Sequence, residues 1–346
     1  MDPFYYTTST NFGDHMNSWL WPTLIPEMLE REDDVRLIGV GSLLSRNLDL
    51  VAGRKVIFGT GSGYSSLPEV EQARHWKIYC VRGPLTANLM GLDPALAITD
   101  GAWLINQIPK FATLPTERKG TVFVPHWTSA KFGNWSPVCS EADVKLVDPL
   151  WDCERVFSDI AHAELALVES LHGAIIADYY RTPWVPVVSP SRILKFKWLD
   201  WCGSLGLEYS PYSLPPSDYV DCLLQRSSAR RLNYALQQID VPQNTFDVRQ
   251  TPPPPTSAGP IYFAKNRVKK HLRNTRNYGL EKLADLRDGA MFSTWNRRHR
   301  AKLVQYFTEL KSVRPQLSQD SVRKDRIDGL NAALEEMRSD FQAGKI

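Results

Sequence analysis

The sequence predicts an α/β protein made of two Rossmann-like lobes with parallel sheets, followed by a helical, basic C-terminal extension. Three observations carry that prediction. Short β-prone runs alternate with helix-compatible stretches as far as about residue 215, the pattern of a parallel sheet covered on both faces. The alternation falls into two series, separated by the turn-rich, charged segment "IPKFATLPTERKG" at 108–120. Beyond residue 215 the alternation stops and a charged, helical composition takes over. With 346 residues the chain exceeds one typical domain and suits two with an appendage. The sequence divides into residues 1–115, 116–215 and 216–346.

In the first lobe, "FYYTT" (4–8), "VRLIGVG" (35–41), "KVIFGTG" (55–61), "KIYCV" (77–81) and "ALAIT" (95–99) read as strands. "GPLTANLMG" reads as a helix with Pro84 at its first position, where a missing N–H costs nothing. In the second lobe the strands are "TVFVPH" (121–126), "DVKLVDP" (143–149), "LALVES" (165–170) and "WVPVVSP" (184–190). In the extension, "QRSSARRLNYALQQ" reads as a helix. The proline-rich linker at 251–260 is stiff and polyproline-biased.

Composition narrows the class. Apolar residues make up 43% and charged residues 23%, as in soluble globular proteins. The five cysteines are scattered without a C-x-x-C pair, so a disulfide framework and a zinc site are both unsupported, and a reducing cytoplasm is the expected compartment. Neither a secretory signal nor an apolar run long enough to span a membrane is expected. The seven histidines are dispersed with no H-E-x-x-H motif, and no metal or cofactor is expected. Net charge is only +3, yet residues 261–302 hold twelve Lys and Arg against three acidic residues. That stretch is either a solvated helical tail or a basic face for anionic phospholipid or a pyrophosphate-linked acceptor. No nucleic-acid-binding motif accompanies the charge.

The candidate chemistry sits at strand ends. In "ESLHGAIIADYY", His172 stands where a strand gives way to a helix, with Ser170 a plausible N-cap and Gly173 permitting close packing. Ligands gather at the carboxyl ends of strands in open α/β sheets, and helix N-termini there favour anions. A histidine bonded to a neighbouring carbonyl is the structural alternative. Arg82, just past "KIYCV", holds a like position in the first lobe and suits a carboxylate or phosphate; its alternative is a surface ion pair. Arg192, Lys195 and Lys197 add cations further on. Asn11, Asp14 and Asn17 cluster around Gly13 and suit sugar hydroxyls, Asp14 being equally placed to cap a helix. Asp100 and His126 end strands toward the interlobe cleft. "GTGSGYSS" lacks the G-x-G-x-x-G spacing of a dinucleotide loop.

Taken in order, "NFGDHMN", "VRGPLTA", "ITDGAWL", "VPHW", "ESLHGAIIADYYRTPWV" and "KFKWLDW" resemble the polysaccharide pyruvyl transferase family, above all its bacterial exopolysaccharide ketalases of the succinoglycan type. The resemblance spans roughly residues 4–205. It implies a fold similar to GT-B glycosyltransferases, with the first lobe on the acceptor side and the second on the donor side. It implies phosphoenolpyruvate as donor and a cyclic pyruvate ketal formed on a sugar of a lipid-linked oligosaccharide. His172 then matches the catalytic histidine, with Asp14 assigned beside it. Arg82 and Lys197 match the donor-binding cations, with Lys195 close to the latter and Ser170 and Gly173 shaping the same end. Asn11, Asn17, Asp100 and His126 fall on the acceptor side. "TDGAW" departs from the Asp-Pro-Ala run common in the family. A nucleotide-sugar glycosyltransferase and a non-catalytic scaffold of polysaccharide assembly are the competing readings, and a nicotinamide-dependent enzyme is a third.

Overall fold

The computed structural model describes residues 1–5, 11–31, 34–63, 75–189, 193–222 and 290–346. Two parallel sheets organise it. The first has four strands, β1 (Asp2–Phe4), β2 (Val35–Ile38), β3 (Arg54–Thr60) and β4 (Lys77–Val81), in the order β1-β2-β3-β4. The second has five, β5 (Thr121–Val124), β6 (Lys145–Leu146), β7 (Leu165–Val168), β8 (Trp184–Val188) and β9 (Tyr212–Ser213), in the order β6-β5-β7-β8-β9. Every pairing is parallel. The central strands are uniformly apolar because helices cover both faces: all four residues of "LALV" are buried.

The strand order in the second sheet locates the cleft. β5 lies between β6 and β7, so the winding reverses there, and a crevice opens at the carboxyl ends of β5 and β7. Those ends are level, since Val124 pairs with Val168.

Two expected strands differ. "ALAIT" forms a 3-10 turn, Pro94–Leu96, because Asp93 caps it and Pro94 fixes its first residue; a lone bridge from Val81 to Ala97 is what remains of the strand. The first strand is Asp2–Phe4 rather than 4–8, and residues 6–10 lie outside the described residues. The short edge strand β9, half exposed, carries no periodic signal and was not expected.

The lobes are not separate bodies. Helix Lys195–Ser204 lies in the chain between β8 and β9 of the second sheet but packs on helix Pro84–Leu89 of the first lobe. Gly83 makes this possible, since a Cβ there would lie 2.0 Å from the Asp200 carbonyl oxygen. Residues 290–346 fold back over both lobes. Helix Ala290–Leu310 sets Phe307 against Phe123 (centroids 5.2 Å apart, 86°) and Trp135. Helix Asp320–Gln342 buries Leu330, Leu334 and Met337 in the core shared with the first lobe. Two buried carboxylates pin it. Asp178 accepts from Trp184 Nε1 and Ser318 N, both at 2.9 Å. Asp340 accepts from Tyr79 (3.0 Å), Lys77 (2.7 Å) and Lys345 (2.8 Å).

Residues 225–238, the proline-rich linker at 251–260 and most of the basic stretch 261–302 lie outside the described residues, as does Arg192. All five cysteines are free thiols. Among the described residues no helix is long and apolar enough to cross a membrane.

Candidate active site

β7 ends at Val168, and the chain turns through Glu169 and Ser170 into helix Leu171–Tyr179. Ser170 is its N-cap, accepting from Gly173 N at 3.4 Å. A Cβ on Gly173 would lie 3.0 Å from Val124 Cγ1, so glycine lets the helix start close on β5. His172 is thereby aimed from the second lobe into the first. Its ring lies against Gly13, where a Cβ would stand 2.0 Å from Nδ1, and meets Phe12 edge-on at 6.2 Å. The "NFGD" and "LHG" segments thus meet across the lobes, which explains a glycine between two functional-looking polar residues.

Asp100 faces the same imidazole. Its Oδ1 lies 3.9 Å from His172 Nε2, too far for a hydrogen bond. That oxygen accepts from Ala102 N at 3.0 Å and caps the 3-10 helix Gly101–Gln107. Asp100 Oδ2 and His172 Nε2 are both buried without a hydrogen-bond partner. Such atoms are costly in a folded protein, and a catalytic role is one of the physical reasons for keeping them. Asp100 is fully buried, whereas His172 keeps 13% of its side chain exposed.

The electrostatics push the two groups apart. Burial, then the charges of Lys197 and Arg82, lower the His172 pKa to about 3, leaving a neutral imidazole. Burial raises the Asp100 pKa to about 7. Arg82 and the Ala102 N–H oppose that rise, and the carboxylates of Asp200 and Asp14 add to it.

Arg82 is built in more firmly than the sequence implied. It is 1% exposed, not an open fork projecting into the cleft. Nε donates to Asp200 Oδ2 (3.1 Å), one terminal nitrogen to Ser42 Oγ (2.8 Å) and Gly41 O (3.3 Å), and the other to Ser62 O (2.9 Å). Asp200 also accepts from Thr86 N (2.8 Å) and Thr86 Oγ1 (2.6 Å). A strand-end arginine in a two-lobed fold meets whatever element crosses over it, here helix Lys195–Ser204, and the sequence carries no signal for that encounter. Arg82 therefore supplies a fixed positive charge behind His172. The glycines of "GTG" serve this packing, not a dinucleotide: Gly61 lies under the Arg82 guanidinium and Gly59, with φ +70°, abuts Gly101.

Lys197 is buried and its charge is felt at His172, whereas Lys195 is exposed. Asn11, not Asp14, caps the first helix, its Oδ1 accepting from Gly13 N (3.0 Å) and Asp14 N (3.4 Å). Asp14 is half-buried and takes Asn11 Nδ2 at 2.5 Å. Asn17 was expected to meet a sugar, yet its amide is fully engaged. It donates to Asp14 O and Val40 O and accepts from Val40 N and Trp21 Nε1, which leaves no capacity for a ligand. His126 caps helix Trp127–Phe132 and contacts Thr128 Oγ1 at 2.8 Å.

Two organising residues escaped the sequence reading. Buried Glu169 accepts from His126 N (2.9 Å) and Ser189 N (3.2 Å), tying together the carboxyl ends of β5, β7 and β8. A carboxylate directly after an apolar strand was its available signal. Asp200 is the other, hidden in "WLDW" as an ordinary helix residue. Among the described residues, no group of three or more His, Cys, Asp or Glu is placed to hold a metal ion.

The architecture is that of a two-lobed, Rossmann-like α/β protein whose lobes converge on a neutral imidazole, a raised carboxyl and two buried cations. The chain is 39% identical over 226 residues to the succinoglycan biosynthesis protein ExoV of Rhizobium meliloti (strain 1021), a match covering 65% of this chain and 71% of that protein. It belongs to the succinoglycan type of the polysaccharide pyruvyl transferase family. No family model matches the chain, and no solved structure matches it.

Proposed function

We propose that this chain transfers pyruvate from phosphoenolpyruvate onto two hydroxyls of a sugar in a lipid-linked exopolysaccharide repeat unit, releasing phosphate and closing a cyclic ketal. ExoV is named for succinoglycan biosynthesis, and a role in exopolysaccharide assembly follows from the relationship. The observation that carries the reading is the neutral His172, set at a strand-to-helix turn beside the buried charges of Lys197 and Arg82.

The chemistry fits those groups. Phosphoenolpyruvate carries a carboxylate next to a phosphate, so its site needs fixed cations and N–H donors. Lys197 and the capped start of helix Leu171–Tyr179 face the donor, while Arg82 holds positive potential behind them. A neutral His172 takes the proton of an attacking sugar hydroxyl, a contribution of about 10²–10⁴-fold. Asp14 and Asn11, at the opposite lip, stand on the acceptor side. No resident cofactor is required, and activity is expected to survive a chelator. The work is assigned to the cytoplasmic face of the inner membrane, where the lipid-linked acceptor is reached from solution and the basic stretch 261–302 meets anionic lipid.

The test is a phosphate-release assay with phosphoenolpyruvate and a panel of galactosides and glucosides. Parallel thermal-shift titrations use phosphoenolpyruvate, UDP-sugars and GDP-sugars. Stabilisation by phosphoenolpyruvate, and acceptor-dependent phosphate release lost in His172→Gln, are expected. Stabilisation by a nucleotide sugar alone would assign the cleft to glycosyl transfer instead.

A further inference from the structure

We infer that Asp100 is the acid that protonates the methylene carbon of the donor, working as a pair with His172. The inference deepens the proposed function and rests on it. Asp100 is held by one oxygen only: Oδ1 caps the 3-10 helix through Ala102 N, and Oδ2 is buried with no partner. The facing atom, His172 Nε2, is also buried and unpartnered, 3.9 Å from the carboxyl. The imidazole of one lobe thus comes within 3.9 Å of the Asp100 carboxyl of the other, and each group carries a buried polar atom with no hydrogen-bond partner, where the segments "ITDGAWL" and "ESLHG" meet. Capping occupies one oxygen of Asp100 and leaves the second available, and the Nε2 of His172 is likewise available on the side that approaches the carboxyl.

Ketal formation needs two proton donors and two proton acceptors at neighbouring atoms, and this pair supplies them in a closed cycle. Protonated Asp100 gives its proton to C3 of phosphoenolpyruvate as the C2–C3 π electrons form the new C–H bond, leaving oxocarbenium character at C2. The first sugar hydroxyl attacks C2 and its proton passes to His172. The C2–O bond to phosphate then breaks, the departing oxygen taking the proton from His172. The second hydroxyl attacks C2 and its proton passes to the Asp100 carboxylate. Both groups end as they began, with a protonated carboxyl and a neutral imidazole. That resting state is the one their surroundings favour, burial holding Asp100 up at about 7 and His172 down at about 3. The charged groups that bear on Asp100 are Arg82 after β4, Asp200 on helix Lys195–Ser204, Asp14 on the N-terminal helix and His172; the thiol of Cys80 on β4 is also within its field.

Asp100→Asn separates this role from capping, because an asparagine oxygen still accepts from Ala102 N. The full-length variant is assayed for melting temperature, phosphoenolpyruvate affinity, ketal formation, and solvent-deuterium uptake at C3 of recovered phosphoenolpyruvate. Folding and donor affinity are expected to hold, while ketal formation and deuterium uptake fall by at least about a hundredfold. The wild-type rate is expected to fall above about pH 7, an alkaline limb missing from the residual activity of the variant. Asp100→Ser, another good cap, is run beside it should the asparagine variant fold poorly. Near wild-type ketal formation in either variant overturns the inference and leaves the proposed function standing. A wild-type chain that releases no phosphate from phosphoenolpyruvate with any acceptor overturns both.

Discussion

His172 owes its neutrality to position rather than to sequence neighbours. Because its folded pKa of about 3 lies below the ordinary value of 6.5, the unfolded chain takes the proton first as pH falls. The stability it contributes is complete above pH 6.5 and is lost as pH falls toward 3. Asp100 acts in the opposite sense: its raised pKa favours the fold at acid pH, and that contribution is lost as pH rises through about 7. His172→Gln is therefore expected to flatten the acid-side fall in melting temperature, and Asp100→Asn to steepen it, both readable in thermal melts between pH 7 and pH 4. Gly13 makes a complementary case. Gly13→Ala drives a Cβ to within 2.0 Å of Nδ1, so the ring must swing away. A misplacement of that order is expected to lower turnover about 10²-fold while the chain still folds, as ketal formation and circular dichroism would register.

At the scale of elements, the crossing of helix Lys195–Ser204 onto the first lobe decides what Arg82 is. The Arg82–Asp200 pair has both partners essentially out of solvent. Removing one partner of such a pair strands a buried charge, so Asp200→Ala is expected to cost about 3–5 kcal/mol in urea unfolding. Gly83→Ala meets the Asp200 carbonyl at 2.0 Å, which is backbone and yields little. A loss of about 1–3 kcal/mol or more is expected from the same measurement. The "VRGPLTA" segment shows how much of this was legible. The strand, the proline-led helix and the arginine at the strand end were readable, because each follows from local turn chemistry and propensity. That the glycine serves a helix more than a hundred residues later was not, because nothing near it in sequence differs when the helix is there. "ALAIT" erred for a related reason: its apolar run is strand-like, but Asp93 and Pro94 offered a cheaper local turn.

For the whole molecule, the C-terminal segment is the decisive feature. In the sequence it is a charged appendage, separable at a proline-rich linker. In the fold Leu303, Phe307 and Leu310 belong to a core of the second lobe, and Leu330, Leu334 and Met337 to the core that runs through both lobes. Truncation before Ser318 would bare the core that Leu330, Leu334 and Met337 fill and leave Asp178 without Ser318. The shortened chain is expected to lose cooperative unfolding or fail to accumulate as soluble protein, which a melt or a solubility comparison would show. Deleting the tail is thus no test of whether a catalytic core works alone.

By itself, the sequence determined the class of fold, most strands, the capped turn that presents His172, and the ordered motifs that mark the family. Those features are written in side-chain periodicity and in turn residues a few positions apart. Only the tertiary structure decided that Gly13 bears on the His172 ring, that Arg82 and Asn17 are committed to the protein, and that Asp100 lies opposite the imidazole with an idle oxygen. The physical reason is that burial and electric field at one atom sum over groups distant in the chain: Asp100 feels Asp14, Arg82 and Asp200 together. No local pattern records such a sum; it exists once the two lobes and the helix crossing between them are in place.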